Sequence, residues 1–340
     1  MREVSITTFL WTWRTSLYSK RIDHLRTAIF RNDPMDRRDF IKVSGAAAAG
    51  LALAGCAPRA ASWSKRDEEL FGPKKTGHFS LTQISSATDT IGESYLMKTA
   101  GGKVIMVDGG YASDVEKLRG HLAKAGNHVD LWFITHPHED HMEALATILN
   151  DPQDITIGKV IYSRVTDAFL DCEPGSADHA RGYYRALDNF MDGTDFINVH
   201  TAGQRFDIDG VGILILSVAD LDIPVKHYNE QSMIIRLWDD SKSVVFLGDA
   251  EVERGNRVLA QYKEYLDCDY LQMAHHGQAG CSEEFYKAIH FRACLWPTPS
   301  WVWEPGDRTW LKTYDTRRWM DEKGITEHHV SCVEEDWTLE

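Results

Sequence analysis

The chain has 340 residues, 26% of them charged and 43% hydrophobic, and a formal charge of −14. That length holds one large domain or two small ones; 11 Trp, 12 Tyr and 13 Phe exclude a disordered chain, and no apolar run reaches the roughly 18 residues that span a membrane as a helix. The charge is uneven: residues 1–55 carry +4 and the remainder −18, so the body is a poor partner for nucleic acid, whose affinity comes mostly from cations meeting phosphates.

In chain order, residues 1–34 come first, and from Met35 the sequence reads MDRRDFIKVSGAAAAGLALAGCA. Arg37 and Arg38 are followed by Phe40, Ile41 and Lys42, then by an apolar stretch from Val43 to Gly55 that is too short to span a membrane. The stretch ends in Leu53-Ala54-Gly55-Cys56. This segment resembles a twin-arginine export signal closed by a bacterial lipobox. The resemblance implies an exported lipoprotein facing the periplasm or the cell exterior, lipid-anchored through Cys56 as its first mature residue. On that reading Met35 is the start and 1–34 a misassigned extension; 35–55 are the signal, 56–77 a linker and 78–340 one domain. The alternative for 35–55 is a short buried helix.

Short apolar runs predict strands at Phe79–Ile84, Ser94–Lys98, Lys103–Val107, Leu131–Thr135, Val160–Tyr162, Val211–Ser217, Met233–Leu237, Val244–Leu247, Leu271–Ala274 and Ala293–Trp296. Helical periodicity predicts helices at Ala112–Lys124, Met142–Leu149, Asp178–Met191, Glu251–Leu266 and Thr309–Lys323, and Glu334–Asp336 reads as a solvated acidic tail. Sheets packed together with helices outside, in one domain, fit that mixture. Beyond Cys56, the five cysteines (Cys172, Cys268, Cys281, Cys294, Cys332) are scattered and form no C-x-x-C pair. They argue against a disulfide framework or a thiolate zinc site, with one incidental bridge left open.

Four apolar runs end in a residue that can ligate metal: VIMV in Asp108, LWFIT in His136, VVFLG in Asp249 and LQMA in His275. Strands that deliver polar side chains at their ends describe a site along one rim of a sheet. The densest element is THPHEDH, Thr135 to His141. His136 and His138 lie two apart in an extended segment and point the same way. Asp140 and His141 follow where the turn enters a helix and can face a second cation. Imidazole and carboxylate donors suit Zn²⁺, with Mn²⁺ or Fe²⁺ as alternatives.

The H-x-H-x-D-H signature resembles that of the metallo-β-lactamase-fold hydrolase superfamily, over about Phe79 to Trp303. Within it, GESYLMKTAGGKVIMVDGG, NEQSMIIRL ahead of VVFLGD, and DYLQMAHHGQAGCSEEFYKAI are most similar to the hydrolase domain of DNA-uptake competence proteins. The pattern is also similar to cell-wall phosphorylcholine esterases. The resemblance implies a four-layer αββα sandwich, of α/β (or α+β) class, with two cations. His136, His138, Asp140, His141, Asp249 and either His275 or His276 would be ligands, and Asp108 would orient a ligand histidine. The family's third motif, His-Thr-x-Gly-Ser, is absent; PVKHYNEQSMII stands there, and His227 or Asn229 could substitute.

Two cations on the order of 3.5–4 Å apart share a hydroxide whose pKa they lower, so the expected function is a metal-dependent hydrolase, with Asp140 and Asp249 catalytic. A phosphodiester or related ester, from a small molecule or the cell envelope, fits the acidic body better than DNA does, because Lys226 and Lys242 make no basic patch. Trp301 and Trp303, among Pro297, Pro299 and Pro305, form a candidate substrate loop suited to a sugar, a nucleobase or a quaternary ammonium group. The alternatives are a tethered zinc-loaded binder of glycan or wall polymer without catalysis, and a lactonase or β-lactamase.

Overall fold

In β3 (Val104–Asp108), Val104 and Met106 face one way, Ile105 and Val107 the other, and all four are buried. A strand with that pattern must be covered on both faces. The computed structural model, which describes residues 64–190 and 193–340, shows what covers it. The export segment, Cys56 and Met191 lie outside the described residues.

Two seven-stranded sheets stand face to face. The first runs in the order β14 (Trp337–Leu339), β1 (Phe79–Gln83), β2 (Ser94–Thr99), β3, β4 (His128–Phe133), β5 (Thr156–Tyr162), β6 (Asp195–Asn198). The second runs β13 (Glu327–Val330), β12 (Ala293–Trp296), β11 (Tyr270–Gln272), β10 (Ser243–Phe246), β9 (Ile235–Trp238), β8 (Val211–Ile215), β7 (Arg205–Ile208). Between them lies an apolar core of Leu81, Met97, Ile105, Val107 and Phe133 from one sheet and Ile213, Ile215, Leu237, Phe246 and Leu295 from the other. Tyr95 and Phe246 meet across it with ring centroids 4.8 Å apart. Each such side chain contributes about 1.5–3 kcal/mol on leaving water.

The outer faces carry helices. Against the first sheet pack α2 (Val115–Ala125), α3 (Glu139–Asn150) and α4 (Ala177–Asn189), through Leu118, Leu122, Leu145, Ile148 and Tyr183. Against the second pack α5 (Val252–Leu266), α6 (Glu283–Ala288) and α7 (Thr313–Lys323), through Val258, Phe285 and Met320. The architecture is an αββα sandwich. In each sheet four strands run parallel, β3 to β6 and β10 to β13.

The structure departs from the sequence expectations at several places, among them the start of α7 at Thr313, four residues after the expected Thr309. Four strands carried no apolar run. β6, β7, β13 and β14 lie at the sheet edges and are half exposed, so they show no buried periodicity. Glu334–Asp336 is not a solvated tail: Asp336 accepts from the Ser85 N–H at 3.0 Å and meets His121 and Lys117 at 2.9 and 2.8 Å, clasping β14 onto β1. Within the expected linker, Lys65–Phe71 forms a helix (α1) started by a Ser64/Asp67 capping box, and Phe71 is buried against Trp238. Helix α3 starts at Glu139, three residues earlier than expected. There the first-turn carboxylates of Glu139 and Asp140 meet the positive end of the helix dipole. The five described cysteines are all free. No helix among the described residues is long and apolar enough to cross a membrane.

Candidate metal centre

The parallel strands deliver the chemistry at one rim. Asp108 closes β3 with a left-handed φ of 55° and is fully buried. One carboxylate oxygen accepts the Thr135 N–H at 2.8 Å. The other accepts the Thr135 hydroxyl at 2.8 Å and stands 2.8 Å from His141 Nδ1. That contact fixes the His141 ring with Nδ1–H donating and turns Nε2 toward Asp249 and Asp140. On the second sheet, the turn after β10 carries Gly248 with φ of 55°, where a Cβ would sit 2.9 Å from Thr135 Cβ. Only glycine lets this turn bring Asp249 up to the histidines.

Asp140, His141, Asp249 and His276 form one group, with a donor atom from each within 4.8 Å of the others and all four residues buried. His141 Nε2 lies 3.2 Å from Asp249 Oδ1 and 3.6 Å from Asp140 Oδ2. His276 Nε2 lies 3.0 Å from Asp140 Oδ2 and 3.4 Å from Asp249 Oδ2, while its Nδ1 donates to the Pro297 carbonyl at 3.1 Å. Of the His275–His276 pair it is therefore His276 that joins this group. His136, His138 and Asp249 form a second group sharing Asp249. His136 Nε2 stands 3.0 Å from His138 Nδ1 and 3.8 Å from Asp249 Oδ2.

The residues fit divalent cations. His141 Nε2 and Asp249 Oδ1 are buried and face each other at 3.2 Å without an aligned hydrogen bond, and buried polar atoms left so are costly unless something satisfies them. The ring centroids of His136 and His141 are only 4.2 Å apart. Imidazole nitrogens and carboxylate oxygens are the donor set of zinc and of other first-row ions.

The electrostatics agree. Burial pulls the His276 pKa down, but Asp249 and Asp140 outweigh burial and push it up to about 10. Burial likewise opposes protonation of His141, and Asp249, Asp140 and Asp108 raise it well above its ordinary value. Burial would raise Asp249, yet His276, His141 and His275 hold it well below the usual carboxylate range. His136 goes the other way, lowered by burial and then by His141. The pocket holds an excess of negative potential that attracts positive charge, as protons or as metal ions.

Three carboxylates at the centre escaped the sequence reading. Glu173, in the loop before α4, meets His138 Nε2 at 2.7 Å and accepts the Tyr228 N–H. Glu251 lies 3.3 Å from His275 Nδ1 and accepts from Asn229 Nδ2 at 3.0 Å. Glu93, fully buried, donates its N–H to the Asp140 carbonyl at 2.9 Å and accepts from Gln272 Nε2 at 3.2 Å. Burial raises its pKa well above the usual value. The visible signals were slight: a lone acid inside IGESYLM, and a second acid two residues after Asp249.

The candidate third-motif substitutes lie beside these groups. His227 is partly exposed, 3.8 Å from Glu173 and 3.9 Å from Glu251, and belongs to neither donor group. Asn229 is buried, its amide nitrogen 3.4 Å from His275 Nε2. In the tryptophan loop, Trp303 packs against buried Trp296 at 5.3 Å and under the Arg317 guanidinium at 4.0 Å, so its ring is taken up in packing. Trp301 lies 6.4 Å from exposed Trp310, with Arg308 over its ring.

Comparison with known proteins places these features. The profile of the metallo-beta-lactamase superfamily matches residues 87–280, and that of the twin-arginine translocation pathway signal sequence matches residues 34–54, an export signal. No curated protein matches. Among solved structures, the chain is similar to the metallo-beta-lactamase fold protein YhfI from Bacillus subtilis, with 15% identity over 77% of this chain and 98% of that one, at TM-score 0.47. It is similar to unliganded yeast PDE1, with 13% identity over 77% and 99% and TM-score 0.46. It is also similar to Zn²⁺-bound PqqB from Methylobacterium extorquens, with 10% identity over 77% and 100% and TM-score 0.45. With its profile covering more than half the sequence, and the sandwich and buried donor groups in place, the chain belongs to the metallo-beta-lactamase superfamily.

Proposed function

We propose that this chain is an exported two-metal hydrolase acting on a phosphodiester or related ester, held at the membrane by a lipid on Cys56. The observation that carries the reading is the pair of donor groups sharing Asp249, buried throughout except for the half-buried His138. Zinc is the cation proposed, held in one position by Asp140, His141, Asp249 and His276 and in the other by His136, His138 and Asp249. Divalent cations bound there would supply Lewis-acid polarisation of the scissile group and would activate water as a nucleophile.

The protein's own residues do the rest. Asp249 balances the charge of both positions. His276, His141 and His138 are fixed through their other ring nitrogens by Pro297, Asp108 and Glu173, so the site is organised before substrate arrives. Asp140 is kept ionised: burial would raise its pKa, and His141 and His276 more than offset that. Its Oδ2 can take a hydrogen bond from the attacking water. Tyr111, whose phenol is raised above its ordinary pKa by burial and by Asp140 and Glu139, stays a neutral donor beside them. Glu173 and Glu251 add negative charge around the cations, and the body carries −18. That balance favours a small diester with a neutral or cationic substituent over a long polyanion.

The test is a substrate panel on the purified chain, metal-free and reloaded with Zn²⁺, Mn²⁺ or Fe²⁺. Metal-dependent hydrolysis of bis-p-nitrophenyl phosphate, with none of lactams or lactones, is expected. Full activity of metal-free Asp249→Ala would refute the mechanism, and lactam hydrolysis without diester hydrolysis would refute the substrate class. For the anchor, Cys56→Ala should release the protein from the membrane fraction; unchanged fractionation would remove that part of the proposal.

A further inference from the structure

The two groups are unequal. The Asp140 group has four donors, whereas the His136 group has three, and the segment expected to supply its missing histidine carries none of the third motif. We infer that in this chain His275 closes the first metal position in place of the absent third-motif histidine, held there by Glu251; this rests on the metal-hydrolase reading above.

The geometry points to His275 in three ways. First, His275 and His276 both take left-handed backbone, φ 51° and 54°, a conformation that non-glycine residues adopt mostly where the surroundings compel it. The consequence is that neighbouring imidazoles, 5.9 Å apart and inclined by 65°, reach different partners. His276 goes to Asp140 and Pro297; His275 goes to the side of Glu251.

Second, His275 Nε2 lies 3.8 Å from Asp249 Oδ2, the same oxygen that His136 Nε2 approaches at 3.8 Å. Third, His275 has the outer partner that ligand histidines need. Its Nδ1 lies 3.3 Å from Glu251, and Glu251 is itself held by Asn229 Nδ2 at 3.0 Å. The arrangement parallels Glu173 behind His138. Asn229 thus supports Glu251, and His227, whose carboxylate neighbours are Glu173 and Glu251 where His275 also approaches Asp249, supplies no ligand.

The experiment counts metal ions bound to the purified full chain after dialysis and measures their affinities by competition with a chelator. Wild type is expected to bind two Zn²⁺, and His275→Ala and the longer His275→Gln one, each with an unchanged circular dichroism spectrum. The double variant His138→Ala/His275→Ala is expected to keep one ion, because both residues serve the same position. His276→Ala/His275→Ala is expected to keep none. Glu251→Gln should weaken one ion by about 10–100-fold and leave the other unchanged, while His227→Ala should retain both.

The inference is overturned if either His275 variant holds both ions at wild-type affinity, or if His227→Ala loses one instead. It is also overturned if His138→Ala/His275→Ala holds none while His276→Ala/His275→Ala holds one. If wild type binds no ion at all, the metal-hydrolase reading falls with it. If wild type binds two and the His275 variants are unaffected, only the assignment of His275 falls.

Discussion

Replacing Glu173 with glutamine isolates the contribution of a residue that reaches the centre from 35 positions away in sequence. Its carboxylate meets His138 Nε2 at 2.7 Å, with the two side chains 14% and 18% exposed. The contact turns His138 so that Nδ1 faces His136 Nε2 at 3.0 Å. Burial opposes charge on both partners, yet each moves toward its charged form: the His138 pKa is raised by Glu173, and the Glu173 pKa is lowered by His138. Losing an outer carboxylate of this kind weakens metal binding by about 10–100-fold, or about 1.4–2.7 kcal/mol at 1.36 kcal/mol per decade. An exposed ion pair would account for no more than about 1 kcal/mol, roughly a fivefold effect, so the size of the loss tells the two situations apart. Competition between the metal-depleted protein and a chromophoric chelator should show one Zn²⁺ weakened beyond tenfold and the other unchanged. Glu173→Ala, which also removes the acceptor of the Tyr228 N–H, should lose more. Wild-type affinity for both ions in Glu173→Gln would refute the orienting role.

Asp249→Asn leaves the shape of the side chain but removes its charge and one of its two acceptor oxygens; both ions should weaken and diester hydrolysis should fall below detection, with the far-UV circular dichroism unchanged. Gly248→Ala forces a Cβ to 2.9 Å from Thr135 at a φ of 55°, and should lower stability in urea by about 1–3 kcal/mol while displacing Asp249 enough to lower metal affinity. Asp336→Asn should cost about 1 kcal/mol at neutral pH, a figure discounted because the carboxylate is partly exposed. Burial raises the Asp336 pKa, but His121, Lys117 and the Ser85 N–H lower it well below the usual value. Its contribution is therefore complete above the unfolded carboxylate range near ~4 and disappears as pH falls through the folded value. Wild-type and variant unfolding midpoints should converge in acid; a gap that persists or widens there would contradict the clasp.

The fully covered strands were legible because alternation along four or five residues is a local property: Val104, Ile105, Met106 and Val107 are apolar whichever way the chain later turns. The same holds for His136, His138, Asp140 and His141, whose spacing within six residues places them on one strand-to-helix turn. The edge strands were not legible, since Asp195–Asn198 and Arg205–Ile208 are half exposed and need no apolar pattern. Nor was α1 within the expected linker, whose apolar contact, Phe71 on Trp238, spans most of the domain.

Within the centre the division is sharper. Local spacing names the ligand-type residues that follow each strand, because side-chain direction at a strand end is set by the backbone. It says nothing of which groups stand behind them. Whether His275 or His276 joined Asp140 depended on two left-handed backbone turns and on the Pro297 carbonyl. The orienting roles of Glu173 and Glu251 depended on loops meeting above the two sheets. Such pairings join residues tens of positions apart, and only the packing of one sheet on the other brings them within hydrogen-bond reach.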